Sequence, residues 1–110
     1  MHISLEKALE SLNNSATPFK ELFNHGSLSI EIYKPIKIDL QQPHLQDEAY
    51  IIVNGRGKFI NGENMIDFNT GDFLFVPAGV EHHFVDFTDD FTTWVIFYGP
   101  KGGEQKKINE

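Results

Sequence analysis

The sequence predicts an all-β domain, a sandwich or barrel of short strands led by one short helix. Three observations carry that prediction. Apolar residues fall at helical spacing only in the first dozen positions, and from Leu28 onward they recur at every second one. Turn-forming residues then interrupt the chain about every eight to twelve residues, the rhythm of a sandwich or barrel. The whole chain has 110 residues, the size of one domain, so helix and strands share one core.

The helix rests on Leu5, Ala8, Leu9 and Leu12, which lie at i, i+3, i+4 and i+7, with Ser4 as its cap and Asn13-Asn14-Ser15 as its stop. Residues 17–24 are ambiguous, because Phe19, Leu22 and Phe23 also suit one more helical turn. Leu28, Ile30 and Ile32 then alternate with Ser29, Glu31 and Tyr33, as in a half-buried strand. A second apolar stretch, 49–53, is closed by Asn54-Gly55-Arg56-Gly57. Residues 58–60 and 65–68 flank Asn61-Gly62-Glu63-Asn64, a strong hairpin signal. Asn69-Thr70-Gly71-Asp72 is a turn, 73–76 a short buried strand, and Pro77-Ala78-Gly79 a stop. Residues 82–87 alternate again, Thr88-Asp89-Asp90 turns, and 92–98 is the last strand. This divides the chain into a helical arm (1–26) packing on the barrel, the barrel (27–98) and a loose polar tail (99–110).

Composition narrows the partners. Acidic residues outnumber basic ones 16 to 9, for a formal charge of −7. The basic residues are scattered apart from Lys106-Lys107, so neither nucleic acid nor a membrane is expected as a partner. No apolar run approaches the ~20 residues of a membrane span, and the N-terminus lacks the pattern of a signal peptide. The absence of cysteine removes disulfides and thiolate chemistry and fits a reducing cytoplasm, the expected location.

Chemistry is concentrated in two stretches. In Gln42-Pro43-His44-Leu45-Gln46-Asp47-Glu48, the even spacing of His44 and Glu48 puts both on one strand face, with Gln42 beside them if the strand stays regular. A His and a Glu leading into the apolar 50–53 run need a reason, either a buried hydrogen-bonded pair or a divalent metal ion. In the second stretch, Gly71, Pro77 and Gly79 shape a strand–turn–strand corner that is expected to aim His82 at the same face. His83, the next residue on that strand, then faces outward. Glu81 and Asp47 read as solvated charges. Tyr33, Tyr50, Phe75, Trp94, Phe97 and Tyr98 suit either a pocket wall or plain core.

Together the two stretches resemble the paired motifs of the cupin superfamily, over roughly residues 28–98. His44, Glu48 and Gly55 match the second His, the Glu and the Gly of the first motif, and Gly71, Pro77, Gly79 and His82 match the second position for position. The first His of the first motif falls at Gln42, or at Gln41 if Pro43 marks a bulge, and the trailing Asn of the second falls at Asp86. The resemblance implies a small single-domain cupin, a double-stranded β-helix or jelly-roll barrel with a short N-terminal helix. It implies one divalent metal ion (Fe, Zn, Mn or Ni) on Gln42, His44, Glu48 and His82. It also implies a metal-dependent enzyme on a small organic molecule, of the dioxygenase, isomerase or decarboxylase class. The alternatives are a non-enzymatic module binding a sugar or organic acid, and a purely structural metal or empty barrel. A small-molecule ligand and a homodimer complete the expected partners.

Overall fold

The helix forms where the pattern puts it. In the computed structural model, which describes residues 1–105, α1 spans Leu5–Asn13, and the Ser4 hydroxyl accepts a hydrogen bond from the Lys7 N–H. That contact satisfies one of the first-turn donors that a helix leaves without an internal partner. Ala8 and Leu12 are buried against Ile32, with Leu22, Val53 and Trp94 around them. No helix among the described residues is long and apolar enough to cross a membrane.

Eight strands follow: β1 (Phe19–His25), β2 (Leu28–Tyr33), β3 (Asp47–Asn54), β4 (Gly57–Asn61), β5 (Asn64–Phe68), β6 (Phe73–Val76), β7 (His82–Val85) and β8 (Thr92–Tyr98). They form a five-stranded sheet in the order β1-β2-β8-β3-β6 and a three-stranded sheet in the order β5-β4-β7, with every pairing antiparallel. Between the sheets lies a core rich in aromatic rings, including Tyr50, Phe59, Phe68, Phe84 and Phe91. The Phe84 ring packs on Phe59 and on Phe91, each at a centroid distance of 4.6 Å, within the usual range for favourable aromatic pairs.

The structure corrects the sequence reading in three places. Residues 19–25 belong to the sheet, not to a helical arm. A bulge after Glu21 puts Leu22 and Phe23 on the same side and so breaks the alternation that marks a strand. Second, β6 is only half buried. Leu74 and Val76 point inward, while Phe73 and Phe75 stand on the outer face, 63% and 41% exposed. Third, the first part of the tail is docked. Gly102 N–H donates to the Leu45 carbonyl, and Glu104 N–H donates to the Asp47 carboxylate. Asp47, expected to be solvated, is therefore buried and also accepts from Ala78 N–H. The end of the predicted tail, with Lys106-Lys107, lies outside the described residues.

One further feature positions the site. Between β2 and β3, residues 34–46 form an irregular strap. Asp39 fastens it from within: its carboxylate, 6% exposed, accepts from Tyr33 Oη at 2.6 Å, Gln41 N at 3.2 Å, Gln41 Nε2 at 2.8 Å and Phe84 N at 2.9 Å. Phe84 lies on β7, at the edge of its sheet, so this carboxylate takes the place of a neighbouring strand for a buried N–H that would otherwise be stranded.

Candidate metal centre

His44, Glu48 and His82 come together, each offering a ligand atom within 4.8 Å of the others. Glu48 projects inward from β3 and His82 from the start of β7. His44 precedes β3, so strand alternation does not place it. Instead its carbonyl accepts from Gly79 N–H at 2.7 Å, which ties the first stretch to the Pro77–Gly79 corner. Gly79 turns that corner at φ +79°, and Gly71 turns the preceding one at φ +91°, both left-handed conformations that suit glycine. Phe97 holds the His44 ring edge-on at 4.6 Å.

The polar atoms of the trio face one another without satisfying one another. His82 Nδ1 lies 2.8 Å from the Val80 carbonyl and donates to it, so in the neutral ring Nε2 is the lone pair. That lone pair is 2.9 Å from Glu48 Oε1, and His44 Nε2 is 3.4 Å from Glu48 Oε2. The contacts are close but lack hydrogen-bond angles. Both carboxylate oxygens and both Nε2 atoms are buried without a hydrogen-bond partner. With both rings neutral, acceptors meeting in a dry site repel unless a proton or a metal cation lies between them. The Val80 carbonyl orients His82 as an outer partner does for a metal-ligating imidazole.

The two histidines respond to this field in opposite ways. Burial lowers the pKa of His44, more than the Glu48 carboxylate offsets. Burial also pulls His82 down, but the adjacent Glu48 and the Val80 carbonyl outweigh it and the net shift is upward. A proton is thus drawn to His82 beside Glu48, the place where a divalent ion has the most to gain. The donor set of two imidazoles and a carboxylate suits first-row divalent metals.

Through His44 the site meets a cavity of about 880 Å³. His44 forms the opening, with 35% of its side chain exposed against 1% for Glu48 and His82. The strap lines one side with Ile36, Ile38, Leu40 and Leu45, and the five-stranded sheet lines another with Ser29, Glu31, Tyr33, Val95 and Phe97.

A family model described as a cupin domain matches residues 30–98, more than half of the chain. The chain belongs to the cupin family. An uncharacterised protein of Streptomyces coelicolor is 38% identical to this cupin over 63 residues, 57% of this chain and 60% of that protein's length. Among solved structures, a cupin-2 domain-containing protein of Shewanella frigidimarina superposes with a TM-score of 0.68 at 17% identity, over 88% of this chain and 94% of that one. A protein of unknown function from Rhizobium leguminosarum superposes at 0.73 and 17% identity, over 89% and 95% of the two chains. At these identities the likeness speaks for the fold.

Against the cupin pattern, the structure places the glutamines differently from the alternation argument. Gln42 is exposed on the strap and does not line the cavity, whereas Gln41 turns inward. The physical reason is that residues 41–44 are not strand, so the period of two does not apply. Gln41 Nε2 donates to Asp39 and its Oε1 accepts from Tyr50 Oη at 3.0 Å. Burial and the nearby Glu48 carboxylate push the Tyr50 phenol well up, so it stays a donor. Asp86, where the motif has Asn, adopts φ +50°, a left-handed conformation that Asp and Asn tolerate better than other side chains. Of the aromatic candidates, Tyr33 and Phe97 line the cavity. Tyr50 is core, while Phe75, Trp94 and Tyr98 lie on the outer face, since they pair with Ala49, Ile51 and Asp47. Sequence reasoning missed Asp39 and Glu31. Asp39 carries no motif signal. Glu31 is legible only if the polar side of β2 is taken as the interior, which the covering of its other side by α1 makes it.

Proposed function

We propose that His44, Glu48 and His82 hold one divalent metal ion (Fe, Zn, Mn or Ni), and that this cupin is a metal-dependent enzyme acting on a small organic molecule. The observation that carries the reading is the set of four buried, unpartnered and mutually facing polar atoms on three side chains. When bound, the ion supplies Lewis acidity toward a carbonyl, carboxylate or enediolate oxygen, and O₂ chemistry where the metal allows it. The chain's own residues supply the rest. His44 presents the open side of the site to the cavity, and Ile36, Ile38, Leu40 and Leu45 of the strap offer an apolar surface to a ligand there. Glu48 is committed to the cation and is not free as a base.

The dioxygenase, isomerase and decarboxylase classes all fit this arrangement. The test is to load the protein with each metal separately and follow small organic acids and sugars by NMR, with His82→Ala as control. Turnover with one metal, lost in the variant, supports the enzyme. Binding without turnover in every metal form favours a binding module.

We also propose a homodimer. Its support is the outer sheet face beyond the reach of α1, where Ile51, Phe73 and Phe75 are exposed side by side. Light scattering gives a dimer mass if this holds, and a monomer mass for Phe73→Glu.

A further inference from the structure

On β2 the polar residues face the barrel interior. Glu31 pairs directly with Val95 on β8, and Val95 with Tyr50 on β3, so these three side chains share the inner face. Ser29, Phe97 and Glu48 make the next row. Glu31 is thus on the cavity wall two strands away from β3, about 10 Å between backbones at normal strand spacing. Side chains stand roughly perpendicular to the sheet and keep that separation; less a contact distance of about 3 Å at each end, it leaves room for a chain of roughly three or four carbons.

Among the described residues the Glu31 side chain has no hydrogen bond and no ion pair, and no lysine or arginine lines the cavity. Its direct cross-strand neighbour is another carboxylate, Glu21, a like-charge pairing that ordinarily destabilises a sheet. Glu21 is exposed and takes hydrogen bonds from Asn24 and Ser29, whereas Glu31 is half-buried. The second carboxylate acting on it is Glu48. Among the described residues that line the cavity Glu31 is therefore the one carboxylate, with no basic side chain to balance it.

We propose that Glu31 is a specificity-determining residue of this cavity, selecting a ligand that places an oxygen at the metal trio and a cationic nitrogen on the Glu31 carboxylate. The inference rests on the metal reading above for the oxygen end only. The nitrogen end follows from the charge of the wall. Burial, Glu21 and Glu48 together raise Glu31 to about 7, so an arriving cation relieves a strain already built into the site.

The test compares 4-aminobutyrate with butyrate on Zn(II)-loaded protein, and butylamine with butanol on metal-free protein, by calorimetry at neutral pH. Metal content is measured on the same samples. The variants are Glu31→Gln and, as a charge control on the exposed β4–β5 loop, Glu63→Gln. The amine-bearing probe of each pair is expected to bind about tenfold tighter to wild type and to Glu63→Gln, and the preference to fall to about twofold in Glu31→Gln. Equal binding of the paired probes in wild type overturns the proposal, as does a preference that survives Glu31→Gln. If wild type takes up no zinc, the metal reading fails on its own, and the butylamine–butanol pair still decides the role of Glu31.

Discussion

Removal of the Asp39 carboxylate tests how the strap, and with it the cavity, is held. Asp39→Ala strands four donors, but not equally. Tyr33 and both Gln41 groups border the cavity, where water can replace the lost partner. Phe84 N–H cannot be rescued, because the residue is 1% exposed and lies at the β7 edge. A buried unsatisfied donor costs about 1–3 kcal/mol, and the lost charge-assisted contacts to Tyr33 and Gln41 add about 1 more. The expected loss is therefore about 3 kcal/mol. Asp39→Asn should lose nearly as much, about 2 kcal/mol. Its NH₂ must replace one of two oxygens that each accept two donors, and a compensating flip of Gln41 would orphan the Tyr50 hydroxyl. Urea unfolding measures both. With a slope of roughly 1.5 kcal/mol/M, Asp39→Ala should lower the midpoint by about 2 M. A loss below about 0.5 kcal/mol, the scale of ordinary surface substitutions, would show that the carboxylate is not what ties β7 to the strap.

Other expectations follow from the same contacts. Phe84→Ala, which removes a ring packed on Phe59, Phe68 and Phe91, should cost about 3–5 kcal/mol in the same unfolding assay. Zinc should raise the melting temperature of wild type in a concentration-dependent way and leave Glu48→Gln unmoved, since only a ligand that binds the folded state stabilises it. Glu31 has a folded-state pKa raised to about 7 from 4.5 by burial and then by Glu21 and Glu48. The folded state therefore holds the extra proton between those values, and stability falls as pH rises through that window. Relative to Glu31→Gln, wild type should match it near pH 4 and trail it by about 1–2 kcal/mol at pH 8, after discounting for solvent screening at the open cavity. Asp47→Ala should release the docked segment, so that trypsin cuts after Lys101 faster than in wild type.

The parts of the fold set by local pattern were readable in the sequence. The helix followed from the spacing of Leu5, Ala8, Leu9 and Leu12, and the hairpin from Asn61 to Asn64. His82 was placed by a corner whose glycines take the expected positive φ. What failed depended on tertiary context. The bulge at Leu22 hid β1, and α1 covers the apolar side of β2, so its polar side became the interior. The strap residues have no period at all, which is why alternation chose Gln42 while the hydrogen bonds of Asp39 and Tyr50 turn Gln41 inward. The sequence pattern leaves Asp47 in solvent because the docking of residues 102–104 depends on backbone donors that no side-chain pattern announces.

The central claim is that the trio exists to hold a cation. Elemental analysis of protein purified without added metal, alongside His44→Ala and His82→Ala, tests it most directly. The account predicts close to one equivalent of a single first-row metal in wild type, lost in both variants while each remains folded. A folded wild type that carries no metal, and takes none up from Fe(II), Zn(II), Mn(II) or Ni(II), would contradict it.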